Sequence, residues 1–326
     1  MKTYFRTILA SGLLLTSAAA AELVVGQKVS GTVGFYSSGR NQLAEIPVGN
    51  HPHELAFSPG RRYLYVSDNG ILWMTEPGEG GNTISIIDVV KRAKTGVIDL
   101  GKYRRPHGID VDARTGNLAV TVENPDGLVL VDPKSRKVLR YYDTKGKSPH
   151  MVKLDPKAEY AYVSNTGSST VAAVRLASGE VTLIPTDARP QGAVFALDGK
   201  LLYVTNSDGN SISVIDCSVK KRVGTIRTGR GPGRIAITPN GALLVYNLQA
   251  GEAVGFADPK NLKQVGEVRL SGPPLSLHLS WDGQMGYLGI QSQDKVVAVS
   301  VPHRKIVREI PTKKGAGPDA VMEIEQ

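Results

Sequence analysis

The feature that most limits how this chain can fold is a period. A proline opening an apolar stretch recurs at Pro52, Pro106, Pro149, Pro190, Pro232, Pro274 and Pro318, at intervals of 54, 43, 41, 42, 42 and 44 residues. The first six are each followed by a turn signal: SPGR at 58–61, RTGN at 114–117, DPKA at 155–158, LDGK at 197–200, TPNG at 238–241 and WDGQ at 281–284. After each turn comes a strand-forming segment, from LYVSD at 64–68 through LYVTN at 202–206 to GYLGI at 286–290. The clearest copy runs from Leu201 to Pro232. LLYVTN suits a pleated surface, SDGN is a turn, SISVID alternates apolar and polar residues, and RVGTIRTG is a further strand. Three landmarks sharing one period of roughly 40–45 residues, with about four strands per unit, predict a β-propeller.

The copies do not start in phase with the chain. ELVVGQ (22–27), GTVGFYSSG (31–39) and QLAEIPVGN (42–50) read as the second, third and fourth strands of a unit that lacks its first. The missing strand stands at the other end, in Pro318-Asp319 and the AVMEIEQ that follows. The expected fold is all-β, a single seven-bladed propeller of four-stranded blades over residues 22–326. The C-terminal strand, Ala320 to Glu325, would join the N-terminal blade and close the ring, which leaves few exposed edges. On these YVTN-type segments the chain resembles the YVTN-repeat β-propellers, a group that includes secreted surface-layer and lactonase-like proteins. The resemblance spans essentially all of residues 22–326. It implies the fold firmly, and an activity only by analogy, because propellers host many unrelated chemistries.

Residues 1–21 have the features of a signal peptide: Lys2 and Arg6, an apolar run from Ile8 to Leu15, and alanines at 18–21. That run is shorter than the ~18–20 residues that span a bilayer, and no second run of such length follows. The expectation is an exported protein, periplasmic or extracellular, with no transmembrane segment in its mature part. The formal charge is +9, or +7 without Lys2 and Arg6. Such a modest excess permits an anionic partner. With aromatics at 6%, it argues against a nucleic-acid surface. Cys217 is the only cysteine, so an internal disulfide is excluded, as is a covalent c-type haem, which needs CxxCH. Cys217 reads as a buried structural thiol. Asp88, Asp132 and Asp216 end strands and read as turn caps. No GxSxG, Walker or dinucleotide motif is present.

Candidate chemistry comes from register. In a propeller the first strand of each blade lines the central channel, so the residue after each repeat-marking proline can be compared around the ring. In order these are His53, His107, His150, Gln191, Gly233, Leu275 and Asp319. Ring closure makes Asp319–His53–His107–His150–Gln191 one contiguous arc. His51 lies beside it, whereas His278 and His303 are out of register. Imidazoles and a carboxylate at one mouth suit a divalent transition metal, or acid–base work, or simple hydrogen bonding to loop carbonyls. Arg105 and Arg189 precede two of the prolines and Arg234 follows another, so with Gln191 they are candidate outer contacts for an anion. Blade one also carries an insertion of ten residues in NGILWMTEPGEGGNT, whose Trp73, Met74 and Glu76 form a candidate lid. An interface loop is the alternative for that segment. Three functional readings stay open: a metal or small anionic ligand bound at a histidine-lined mouth; a lactonase-like hydrolase or metal- or haem-dependent oxidoreductase component, as the resemblance implies; and a protein-interaction scaffold.

Overall fold

The computed structural model describes residues 22–37 and 41–324. The expected leader, 1–21, and Glu325 of the expected closing strand lie outside the described residues. The chain forms seven four-stranded antiparallel sheets. Six follow sequence order, with first strands at Pro52–Phe57, Arg104–Val111, Pro149–Leu154, Pro190–Phe195, Pro232–Ile237 and His278–Leu279. They are blades 1 to 6 here. Blade 7 is composite: Pro318–Ile324 pairs antiparallel with Glu22–Gln27, which continues into Thr32–Ser37 and Gln42–Pro47. The seven-bladed ring and its closure are therefore those expected from the repeat. Among the described residues no helix is long and apolar enough to cross a membrane.

Alternation along each strand sends one set of side chains to each face of its blade, and the blades stack face to face. The core is accordingly divided into seven hydrophobic clusters, one between each neighbouring pair of blades. Between blades 1 and 2, for example, Ile84, Ile86 and Ile98 meet Val120, Val122 and Val129. Blade 6 departs from the pattern. Its first strand was expected from Pro274, but only His278–Leu279 pairs with the next strand. Pro273 and Pro274 have no N–H to give to a ladder. Leu275 N still donates to Gly289 O at 3.0 Å, which keeps the segment in place.

The blades are also joined by polar contacts near the axis. Ser67 and Thr121, one on the second strand of each of blades 1 and 2, accept a hydrogen bond from Glu54 N and Gly108 N within their own blades. The same hydroxyls donate across to the next blade, at 2.7 Å to His107 O and 2.7 Å to His150 O. Thr205 donates likewise to Gly233 O, Thr166 to Pro190 O and Asn247 Nδ2 to Pro274 O. Gly108 makes the close approach possible, because a Cβ there would stand 2.5 Å from His150 O.

Blade 7 takes part in two of the seven clusters. Val321 packs between blades 6 and 7, and Ala320 and Met322 pack between blades 7 and 1. Truncation after Pro318 should therefore open both interfaces and cost at least about 3 kcal/mol, the scale of losing a large buried side chain. Urea unfolding monitored by circular dichroism reads this directly. A truncated chain with an unchanged midpoint would mean that the ring does not depend on its closing strand.

Candidate functional site

Local backbone geometry explains why the residue after the proline points inward. The residue before it is left-handed in six blades: His51 (φ 45), Arg105 (57), Ser148 (51), Arg189 (60), Gly231 (68) and Gly317 (61). The ladder then breaks register just past the proline, between Pro52 and Leu55, Pro106 and Ile109, and Pro149 and Val152. Such a bulge re-aims one side chain. In blades 1, 2 and 3 it turns His53, His107 and His150 onto one another. Their ring centroids lie 4.4 Å apart for His53–His107 and 4.1 Å for His107–His150.

All three histidines are buried and line one wall of a cavity of about 900 Å³ at the channel mouth. Gln191, Arg189, Arg234 and Asp319 line it too, and the blade-1 loop contributes Trp73 and Met74 to its rim. The structure thus gathers most of the residues singled out by register around one space. Two are placed differently. Arg105 does not line the cavity: its guanidinium turns back to Glu123, at 2.9 Å, and to the loop carbonyls of Met74 (3.0 Å) and Glu76 (3.4 Å). Glu76 faces solvent, where its carboxylate accepts from Trp73 N at 3.4 Å within its own turn. Arg105 therefore braces the loop, and Glu76 shapes it.

Burial dominates the electrostatics. It holds the three imidazoles well below the usual histidine range, and nearby cations, Lys28 and Arg234 among them, push the same way. They are neutral at pH 7. His53 Nε2 donates to Ile71 O at 2.8 Å, and His107 Nδ1 lies 3.0 Å from Glu123 Oε1. His150 Nδ1 is buried without a protein partner. His53 Nε2 is committed to a carbonyl and His107 Nδ1 to a carboxylate, so these two nitrogens do not offer lone pairs to a shared point. Among the described residues no group of three or more His, Cys, Asp or Glu is placed to hold a metal ion.

Three charged residues of the site escaped the register argument. Lys28 pairs with Asp319 at 3.0 Å and stands 5.1 Å from the centre of the Trp73 ring. It occupies the loop between the second and third strands of blade 7, on the same face as the channel mouth, and that position could have flagged it. Glu123 stands near the end of the second strand of blade 2, Leu118–Asn124. Glu54, one residue past His53, forms a part-buried ion pair with Arg234 of blade 5, whose Nε lies 2.9 Å from Glu54 Oε1. This pair crosses the axis between residues 180 positions apart. Burial raises the Glu54 carboxyl, and Arg234 opposes that shift.

Elsewhere, Asp88, Asp132 and Asp216 accept backbone N–H bonds from Lys91, Lys134 and Ser218, which makes them turn caps. Cys217 is half-buried rather than buried. Burial pushes its thiol up to about 11, so it carries no thiolate at neutral pH. His278 sits apart from the cavity arc, beside Trp281.

No protein-family model matches the chain, and no curated protein matches it. Solved structures do. The periplasmic gluconolactonase of Pseudomonas aeruginosa aligns with TM-score 0.76 at 16% identity, over 94% of this chain and 99% of its own. A chain of Kuenenia stuttgartiensis hydrazine synthase aligns with TM-score 0.73 at 16% identity, over 90% and 99%. Dihydro-haem d1 dehydrogenase aligns with TM-score 0.69 at 15% identity, over 96% of this chain and 77% of its own. At such identities the likeness establishes the seven-bladed fold, which these lactonase and haem-related proteins share.

The Glu54–Arg234 pair yields a direct test. Removing one partner strands a buried charge, so Glu54→Ala should cost about 3–5 kcal/mol. Glu54→Leu with Arg234→Leu should cost clearly less than the sum of the single changes. A double-mutant cycle by urea denaturation checks this, and additivity within error would show that the two charges are not coupled.

Proposed function

We propose that this chain is an exported propeller of the YVTN-repeat kind that binds a small organic anion in the histidine-walled cavity. One observation carries the reading. Arg189 and Arg230 line the cavity and make no ion pair among the described residues, while the imidazoles beside them are neutral. A carboxylate or phosphate would supply the missing counter-charge, and guanidinium groups bind either bidentately. Gln191, Asn210 and Gln249 offer amides to the hydroxyls of such a ligand, and Trp73 offers an apolar face. The donor geometry of the histidines favours this reading over a bound metal ion.

A second reading, hydrolysis of a cyclic ester of such an anion, rests on His150. Its ring makes no hydrogen bond to the protein among the described residues, and it is neutral, as a general base must be. The gluconolactonase that shares the fold is consistent with that chemistry.

Calorimetric titration with gluconate and with inorganic phosphate tests the binding reading. Arg189→Ala with Arg230→Ala should weaken the bound anion by about 10- to 100-fold, the scale of one or two charge-assisted hydrogen bonds. Replacing residues 72–81 by a short SDGN turn should leave the fold intact and speed release. Affinity unchanged in the double arginine variant would sink the anion site. His150→Ala should abolish any lactone turnover while leaving anion binding within about threefold.

A further inference from the structure

The turn before the fourth strand of a blade reaches across to the preceding blade. Its last residue is left-handed in blades 1, 2, 4, 5 and 6: Arg92 (φ 48), Arg136 (57), Lys220 (51), Leu262 (53) and Arg304 (49). The cations among them find partners on the blade they reach, with one exception. Arg92 pairs with Glu22 at 2.8 Å, Lys220 stands 4.3 Å from the centre of the Tyr160 ring, and Arg304 Nη1 donates to Val265 O at 2.6 Å. Arg136 reaches blade 1 in the same way, so closely that a Cβ on Gly96 would stand 2.5 Å from its Nη2. Its guanidinium nevertheless makes no ion pair or hydrogen bond among the described residues. It lines a cavity of about 560 Å³ between blades 1 and 2. This space lies among the turns that join strands one to two and three to four, on the face opposite the histidine-walled mouth.

We propose that this cavity is a second binding site, separate from the histidine-walled one, for a small aromatic carboxylate that carries a ring hydroxyl. Its deep wall is mostly apolar. Tyr65 and Ile86 are only 6% and 7% exposed there, and Pro59 of blade 1 and Pro133 of blade 2 also line it. Its rim carries the exposed cations Arg114, Lys134 and Arg136. The carboxylates nearby are already committed. Asp112 accepts from Arg114 N and Thr115 Oγ1, and Asp132 accepts from Lys134 N and Ser135 Oγ. Arg114 Nε keeps only a long contact to Asp112, at 3.7 Å. A ligand carboxylate at the rim gives Arg136 the partner that its sisters find within the protein, and a guanidinium can hold it with two parallel bonds. The ring behind that carboxylate lies against Tyr63 and Tyr65, which favours an aromatic body over an aliphatic one. Tyr65 supplies the third element. Its ring packs in the core between blades 1 and 2, yet its hydroxyl has no hydrogen-bond partner among the described residues. A hydroxyl at the far end of the ligand satisfies it, and a buried polar group left unpaired is costly. Inorganic phosphate can use the cations but not the apolar wall. An apolar wall with a few converging polar groups is the usual composition of a small-molecule site.

Equilibrium dialysis of the full chain against 4-hydroxybenzoate tests this. Binding should saturate at one molecule per chain. Lys134→Ala with Arg136→Ala should weaken it by about 10- to 100-fold, the scale of one or two charge-assisted hydrogen bonds. Both side chains are exposed, so the urea midpoint of that variant should match the parent. Phenol, which lacks the carboxylate, should bind at least about tenfold more weakly than 4-hydroxybenzoate. Tyr65→Phe should weaken 4-hydroxybenzoate by about three- to tenfold and leave benzoate within about twofold, because only the first ligand meets the hydroxyl. Equal weakening of both ligands would overturn the placement of the ring hydroxyl at Tyr65. Arg189→Ala with Arg230→Ala, on the opposite face, should leave 4-hydroxybenzoate affinity within about twofold. Loss of binding in that variant overturns the inference by assigning the ligand to the histidine-walled cavity. The inference also fails if no saturable binding appears up to about 10 mM, or if the Lys134→Ala, Arg136→Ala variant binds like the parent. Neither failure bears on the anion proposed for the other cavity.

Discussion

Blades 1 to 5 are each joined to the next by a polar contact close to the axis. In blades 1 and 2 a hydroxyl on the second strand accepts from its own blade's first strand and donates to a first-strand carbonyl of the next blade. One oxygen thereby fixes the radial position of two strands at once. Stacked hydrophobic faces alone would tolerate sliding, since burial is not directional. A hydrogen bond between fixed backbone groups is far less tolerant. The accepting carbonyls in blades 2 and 3 belong to His107 and His150 themselves. Ring assembly and site assembly are consequently one event, and neither histidine can shift without loosening the joint beside it.

The site built on this frame places neutral bases within a cationic surround. Burial strips the imidazoles of charge, and Lys28 and Arg234 keep it off. The cations on the walls are balanced by buried carboxylates, Asp319 for Lys28 and Glu54 for Arg234, whereas those at the rim, Arg189 and Arg230, are not. Positive charge is therefore least compensated at the rim, where Arg189 and Arg230 stand.

The sequence showed most of the architecture and only part of the site, for physical reasons. Repeats advertise themselves because each blade solves the same packing problem, so Pro–X and YVTN-like segments recur at one period. The shared register of His53, His107 and His150 followed from that period alone. Glu123 and Glu54 stayed hidden because their meaning lies in partners rather than in position. Glu54 meets a side chain 180 residues away across the axis. Arg105 matched its sister positions in sequence, but the insertion beside it supplied carbonyls that its counterparts lack, and the side chain turned toward them. Blade 6 shows the same limit in the backbone, where two adjacent prolines shortened a strand that the period alone would have kept whole.

The ion pair between Glu54 and Arg234 has a consequence for shape. The hydrophobic clusters join neighbouring blades around the circumference. This contact instead ties the first strands of blades 1 and 5 across the axis, between residues 180 positions apart. It acts as a spoke, and a spoke resists a widening of the central channel that packing along the rim alone would permit.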